Sequence, residues 1–432
     1  MEEEPGFSFD EFSVEMGDFE VRKVRKFDRP GRVGPGGSIS QTPLFYKGRI
    51  YFGSMDHNLY CVDELTGKEI WRFRAQDKIH VSSPVVHDET MFFGSDDYNL
   101  YAIDAETGKL KWKFRTQDYI YSTPFIDNDI VYFGSRDNNL YAVNAKTGEL
   151  IWKFRTQDWV LYSPAVYKGK VLFGSFDHNF YCLDASNGGL LWKFRTNAEI
   201  WGTSKPVVHK DLVYFASFDN FLYALDVNTG KLVWRFQTGM YGNSRGPILY
   251  KNVLYQGSRD GILHALTLEG RELWKFSKNE EILEAMAGCD DKIYFGSGDY
   301  NLYCLDLNGR ELWRFRTQGR IYGGLLICNN IIFFGSFDCH LYAIDIFTKK
   351  LKWKFRSQGG PCYIPSPFEA FEVQIKIPKR EMEEGKKKTY ELDLAGEEEE
   401  RAGAYKSRIT YQVSTQYREK GKYQIDTDEE AF

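Results

Sequence analysis

The chain repeats one acidic motif, and its carboxylates are the first groups to test for chemistry. Gly-Ser-x-Asp-x-Asn, or a close variant, places Asp56, Asp97, Asp137, Asp177, Asp219, Asp260, Asp299 and Asp338 at a near-constant interval. Carboxylates followed by amides suggest calcium, but that ion takes six or more oxygens and one short turn cannot supply them. The expected role is structural: each Asp caps its own turn, or pairs with an Arg three residues after a recurring Trp (Arg74, Arg115, Arg155, Arg195, Arg316, Arg356). The 7 histidines show no metal-ligand spacing, and the 7 cysteines include no Cys-x-x-Cys. Cys61, Cys182 and Cys304 fill a slot that alanine fills in other repeats, so they read as small buried hydrophobes. No phosphate-binding glycine loop, nucleophile elbow or zinc-protease motif occurs. No catalytic residue, cofactor-binding residue, metal ligand or cofactor is therefore expected.

A second set of candidates lies in the segments that join the repeats. His80, Tyr121, Trp201, Tyr241 and Tyr322 share one patterned position, each beside a large aliphatic residue such as Ile79 or Ile120, and Trp159 lies close by. One position of each pair should pack between repeats while the other faces a common opening. A collar of aromatics around a funnel suits capture of a partner or ligand, since Trp and Tyr dominate binding hot spots. The fifth and sixth repeats depart most from the pattern, with Ala216, His264 and Thr267 at otherwise regular positions. Arg245, Glu281, Glu284 and Arg320 are the polar candidates there.

What positions these residues is a repeat marked by Trp71, Trp112, Trp152, Trp192, Trp234, Trp274, Trp313 and Trp353, at steps of 41, 40, 40, 42, 40, 39 and 40 residues. A period near 40 signals a repeat architecture. Each unit reads as four short strands, as in 121–126, 130–135, 139–143 and 149–155, separated by an Asp-x-Asn turn and a Thr-Gly turn. Eight such units imply an all-β fold: an eight-bladed β-propeller of four-stranded antiparallel blades. The eight tryptophans are docking residues in this reading, packed on the Gly-Ser glycine or the Ala/Cys slot of a neighbouring blade.

The motif Tyr-Ala-x-Asp-x-x-Thr-Gly-x-x-x-Trp, intact at 101–112 and 223–234, resembles the tryptophan-docking motif of PQQ-like (quinoprotein-type) β-propellers. The resemblance covers about residues 37–360. It implies the propeller fold, and leaves two branches of activity. Quinoprotein dehydrogenases carry adjacent cysteines beside the quinone, and long insertions with calcium ligands and a catalytic Asp. This chain has no Cys-Cys pair, and its 39–42-residue units leave no room for such insertions. The non-enzymatic branch, which includes the outer-membrane assembly lipoprotein BamB, fits the compact blades better.

Outside the repeats, residues 1–20 hold eight acidic and no basic side chains, whereas 21–32 hold six basic and one acidic. Residues 1–36 are read as a charged N-terminal segment, 37–360 as the propeller and 361–432 as a small C-terminal β appendage. Within the appendage, 372–377, 389–394, 408–415 and 422–426 alternate polar and apolar residues as amphipathic strands do. The net charge of −5 disfavours a general nucleic-acid binder. No apolar run is long enough to span a membrane and no export signal is visible, so a cytoplasmic location is expected. The combined expectation is a non-catalytic scaffold with a protein partner. The alternatives are a small-molecule sensor or enzyme at the channel mouth, and less favoured, a quinoprotein dehydrogenase. The sequence leaves the oligomeric state open.

Overall fold

The computed structural model describes residues 37–358, apart from 203–204, 244, 279 and 283–285, together with short strands at 19–21, 376–378, 388–390 and 411–413. From residue 44 to 356 the chain forms eight consecutive four-stranded antiparallel sheets, each built from strands adjacent in sequence. The third blade is typical: Phe125–Asp127, Ile130–Gly134, Asn139–Asn144 and Leu150–Arg155, paired in that order. The Asn-Asp, Asp-Asn-Asn and Thr-Gly segments of this unit supply the tight turns between those strands. Its middle strands lie between neighbouring blades and are buried almost throughout, which explains the near-continuous apolar runs. Its outermost strand is bulged, with Trp152 opposite Ala142 and Leu150 opposite Val143. Among the described residues no helix is long and apolar enough to cross a membrane.

The core is distributed over the blade junctions. One cluster, for example, joins Tyr51, Leu59 and Cys61 of the first blade to Phe93, Tyr101 and Ile103 of the second. The tryptophans bind the outer rim of each junction. Trp152 donates its indole N–H to the Ala185 carbonyl of the next blade at 3.0 Å, and Trp71 does the same to Glu106 at 2.8 Å. Each ring lies on the turn glycine of that next blade: Trp71 on Gly108, Trp112 on Gly148, Trp152 on Gly188, Trp192 on Gly230, Trp234 on Gly270, Trp274 on Gly309 and Trp353 on Gly67. A Cβ on Gly188 would sit 2.7 Å from Trp152, and its φ of +72° also favours glycine. At the remaining junction Trp313 packs against a cluster that joins Tyr294 of its own blade to Ile344 and Ile346 of the eighth, and the corresponding turn residue is Lys349 at φ 59°.

This docking differs from the expectation. The ring does not use the Gly-Ser glycine or the Ala/Cys slot of its neighbour. Four residues separate Gly148 from Trp152, so the ring and the turn lie at the same end and radius, and the ring reaches the equivalent turn next door. The Ala/Cys slot instead lies opposite the tryptophan of its own sheet, as Cys61 does opposite Trp71. Only Trp152 is buried, at 8% exposure; the other seven rings are half-buried.

The ring closes without sharing a strand. Trp353 of the eighth blade donates to the Glu64 carbonyl of the first at 2.9 Å, the Gln358 amide donates to Asp56 at 2.7 Å, and Ser357 bonds the Gly37 carbonyl.

A separate compact unit comprises Met1–Arg29 and Pro365–Phe432. In it Phe19–Val21 pairs antiparallel with Lys376–Pro378, and Lys388–Tyr390 pairs with Tyr411–Val413. Three of the four expected appendage strands overlap described strands, at 376–377, 389–390 and 411–413. The fourth, at 422–426, lies outside the described residues. The N-terminal partner strand was not expected.

Candidate functional site

Asp56, Asp97, Asp137, Asp177, Asp219 and Asp338 turn out to be clamps between blades. Asp97 accepts the Asn99 amide at 3.0 Å through Oδ1, which caps its own turn. Its Oδ2 accepts the Tyr101 hydroxyl at 2.5 Å and the Gln76 amide, from the end of the preceding blade, at 2.9 Å. The same triple use recurs at Asp137, Asp177 and Asp338. Turn capping is therefore present as expected, and the second oxygen serves the neighbouring blade where an Arg partner had been the alternative. Burial pushes the tyrosine hydroxyls of these clamps, such as Tyr101 and Tyr141, well above their usual range.

Among the described residues, His87, Asp88 and Asp129 bring three potential metal-ligand atoms within 4.8 Å. They lie on the face opposite the Asp turns. His87 bonds Asp129 at 2.7 Å, and Lys146 holds the other Asp129 oxygen at 2.7 Å. Equivalent turns carry inter-blade pairs Lys168–Asp211 at 2.8 Å and Lys251–Asp291. The cluster lies at the equivalent turn, where Asp88 holds the position of Lys168 and Lys251, and His87 that of Tyr167 and Tyr250.

The face that carries the Asp turns also carries the linkers. Within them the aliphatic residues Ile39, Ile79, Ile120, Val160, Ile200, Ile282 and Ile321 are all buried between blades. The Gly-Ser glycine makes room for them: a Cβ on Gly134 would lie 2.3 Å from the Val160 carbonyl oxygen and 2.5 Å from its Cγ1. With the aliphatic residue fixed inward, its neighbours are left at the mouth.

The mouth is aromatic along the second to fifth blades. His80 meets Tyr121 edge-on at 5.1 Å, Tyr121 stacks on Tyr119 at 5.7 Å, and Tyr119 meets Tyr98 at 5.4 Å. The Arg136 guanidinium lies 4.9 Å from the Tyr119 ring and 4.0 Å from Trp159, a cation between two π faces. Trp159 also meets Phe176 at 5.2 Å, and Trp201 stacks on Phe218 at 5.6 Å. Tyr119, Trp159, Trp201 and Phe218 are all half-buried.

Along the sixth to eighth blades the mouth is more polar. Arg259 approaches Glu281 at 3.5 Å, Arg320 donates to the Tyr322 hydroxyl at 2.7 Å, and Tyr322 meets Phe337 edge-on at 5.2 Å. Arg245, from the fifth linker, is buried, and desolvation lowers its pKa to about 9. Its charge acts on His80 of the first linker, so residues 165 positions apart share one environment. Glu284 lies outside the described residues.

One part of the site escaped sequence reasoning. The x of Gly-Ser-x-Asp is Met55, Asp96, Arg136, Phe176, Phe218, Arg259, Gly298 or Phe337. Its amide bonds the carbonyl of the linker residue before the aliphatic one: Asp96 to Lys78 at 2.9 Å, Arg136 to Tyr119 at 2.9 Å, Phe176 to Trp159 at 2.9 Å. The signal was its variability inside a motif that otherwise hardly changes.

The fifth linker corrects the expected pattern. One residue of each pair was expected to pack between blades, but here Met240, the aliphatic neighbour of Tyr241, is 75% exposed and Tyr241 is 37% exposed. Ala216 replaces the Gly-Ser glycine here, and its methyl takes the room that the aliphatic side chain uses elsewhere. Asn243 fills the gap instead, fully buried, accepting from the Thr238 hydroxyl at 2.7 Å and bonding the Ser217 carbonyl.

Blades of this kind, ringed by tryptophan docking, define a PQQ-like β-propeller. A family model described as outer membrane protein assembly factor BamB matches residues 24–122, 55–175, 118–235, 157–275 and 259–367, and the chain belongs to that family. BamB from Moraxella catarrhalis is similar in structure, at 19% identity over 76% of this chain and 97% of that one, with a TM-score of 0.60. The computationally designed protein Ika8 is similar at 19% identity over 71% of this chain and 95% of that one, with a TM-score of 0.62. At such identities the likeness establishes the fold. No curated protein matches the chain.

Proposed function

We propose that the protein is a non-catalytic scaffold that captures a protein partner on the collar face. The observation that carries this reading is the half-exposed array of Tyr119, Arg136, Trp159, Trp201 and Phe218 at the channel mouth. Rigid aromatics interleaved with arginine are the side chains most enriched at binding hot spots. Membership in a family described by an assembly factor supports a role in protein interaction. We place its action in the cytoplasm. Six described cysteines, all free thiols, suit a reducing compartment.

Site-specific photocrosslinking in native extract tests this. A crosslinker at Tyr241 should trap a discrete partner, while one at Lys109, on the opposite face, should not. Crosslinks from Lys109 alone, or capture that survives alanine at both Trp159 and Trp201 but is lost when 361–432 are deleted, would overturn the collar reading.

A further inference from the structure

The collar contains one acid where its sister positions hold other chemistry. Of the eight residues at the x position, only Asp96 is acidic. It is 7% exposed, and its Oδ1 has no hydrogen-bond partner. Its Oδ2 lies 4.0 Å from His80 Nδ1, a nitrogen that is also without a hydrogen bond. That spacing makes an ion pair only if His80 is protonated. Burial lowers the His80 pKa to about 3, with Lys78 and Arg245 adding to the effect, so the imidazole is neutral. Arg136 is near enough for its charge to act on Asp96, but it makes no ion pair with it: the guanidinium lies over Tyr119 and Trp159, and its buried Nε has no hydrogen bond. Among the described residues no Lys or Arg lies within ion-pair distance of Asp96, so charging this buried carboxyl is costly unless a cation reaches it.

The rings beside it complete the arrangement. His80, Tyr121, Tyr119 and Tyr98 touch in unbroken series, and the Asp96 charge acts on both Tyr119 and Tyr121. Electron-rich rings around an acid attract ammonium and guanidinium groups. The molecule already uses this chemistry next door, where Arg136 lies between two such rings.

We propose that the mouth of the second blade receives a basic side chain, lysine or arginine, of the bound protein partner, with Asp96 as its counter-ion and His80, Tyr121, Tyr119 and Tyr98 as its walls. This rests on the collar reading and names the chemistry of the partner there. Desolvation, reinforced by Asp77 and Asp97 and opposed by Lys78 and Arg136, holds the Asp96 carboxyl well above the usual carboxylate range. An incoming cation would reverse that.

The test is titration of the full chain with Nα-acetyl-lysine amide and Nα-acetyl-arginine amide, followed by tyrosine and tryptophan fluorescence. Nα-acetyl-norleucine amide and tetramethylammonium serve as comparisons. Both basic amides should saturate, and norleucine amide should not. Asp96→Asn should weaken binding by about tenfold or more, as loss of one charged hydrogen bond does. Asp96→Met, which installs the residue of the first blade, should abolish it, and Lys109→Ser should leave it unchanged. Unaltered melting of both Asp96 variants would show that the blade still folds. Equal binding of norleucine amide, wild-type affinity in Asp96→Asn, or saturation by tetramethylammonium without either amide would overturn the proposal. The probes need no partner, so this failure is separable from that of the collar reading: an empty pocket with intact crosslinking at Tyr241 removes the pocket alone.

Discussion

The third and fifth blades share their outer halves and differ at their inner ones. Trp152 and Trp234 dock alike on the turn glycine of the next blade, and both donate to its backbone, at 3.0 and 2.9 Å. At the inner end the third blade has Gly134 with Val160 folded over it, whereas the fifth has Ala216, a buried Asn243 and an expelled Met240. The two blades differ there by the Ala216 methyl and by a fifth linker one residue longer than the third. The outer rim holds the ring together and tolerates little change. The inner end shapes the mouth, and with these changes there a buried aliphatic side chain becomes an exposed one.

The largest effect should come from the shared half. Trp152→Ala should cost about 3–5 kcal/mol of unfolding free energy, measured by denaturant titration. A loss below about 1 kcal/mol would remove the tryptophan rim as the main brace. The inner ends should then separate the two blades. Gly134→Ala forces a methyl against backbone and should cost about 1–3 kcal/mol. Ala216→Gly, in a linker already rearranged, should cost only about 0.5–1 kcal/mol from added chain freedom. Equal costs would mean that the methyl does not cause the rearrangement.

A third measurement concerns pH. His80 has a folded pKa lowered to about 3, so the unfolded chain binds its proton first as pH falls. Its contribution is complete above about pH 6.5 and is lost as pH falls toward 3, by about 1 kcal/mol per unit. Asp96, whose folded pKa is raised, contributes with the opposite sign: its share is present below its unfolded pKa and is lost as pH rises. The comparison is therefore between His80→Gln and wild type in thermal melts from pH 7 to pH 5. Wild type should lose more stability than the variant over that range; parallel curves would mean that His80 is solvated. The smallest effect belongs to Met240→Ser. It should change stability by less than about 0.5 kcal/mol, because an exposed side chain supports little. A larger loss would show that Met240 packs against something in the folded ring.

Much of this was legible in the sequence for a local reason. A blade is made of contiguous strands, so strand order, turns and the aliphatic–aromatic alternation of the linkers all lie within forty residues. What crosses from one blade to the next was less legible. The Gly-Ser glycine and the Ala/Cys slot looked able to seat a tryptophan, and only radial position assigns Trp152 to the turn glycine Gly188 and leaves Gly134 for Val160. The aspartate turn cap could be read, but its bond to the preceding blade, as from Asp97 to Gln76, could not. Asp96 and Arg136 passed unnoticed because a position that varies looks like drift in a repeat. Met240 was placed in register by counting, although Ala216 already closed the space it would need.

The eighth junction uses parts that recur around the ring: a tryptophan on a turn glycine, and an aspartate holding the amide of the preceding blade. Many closed rings depend on a strand borrowed from the far end of the chain, which singles out one seam as the place where the circle was fastened. Here the closing seam is built from the same kind of blade-to-blade contact as the others, and the cores lie between nearest neighbours. A circular permutation opened between two other blades would therefore leave the blade-to-blade contacts of the ring in place.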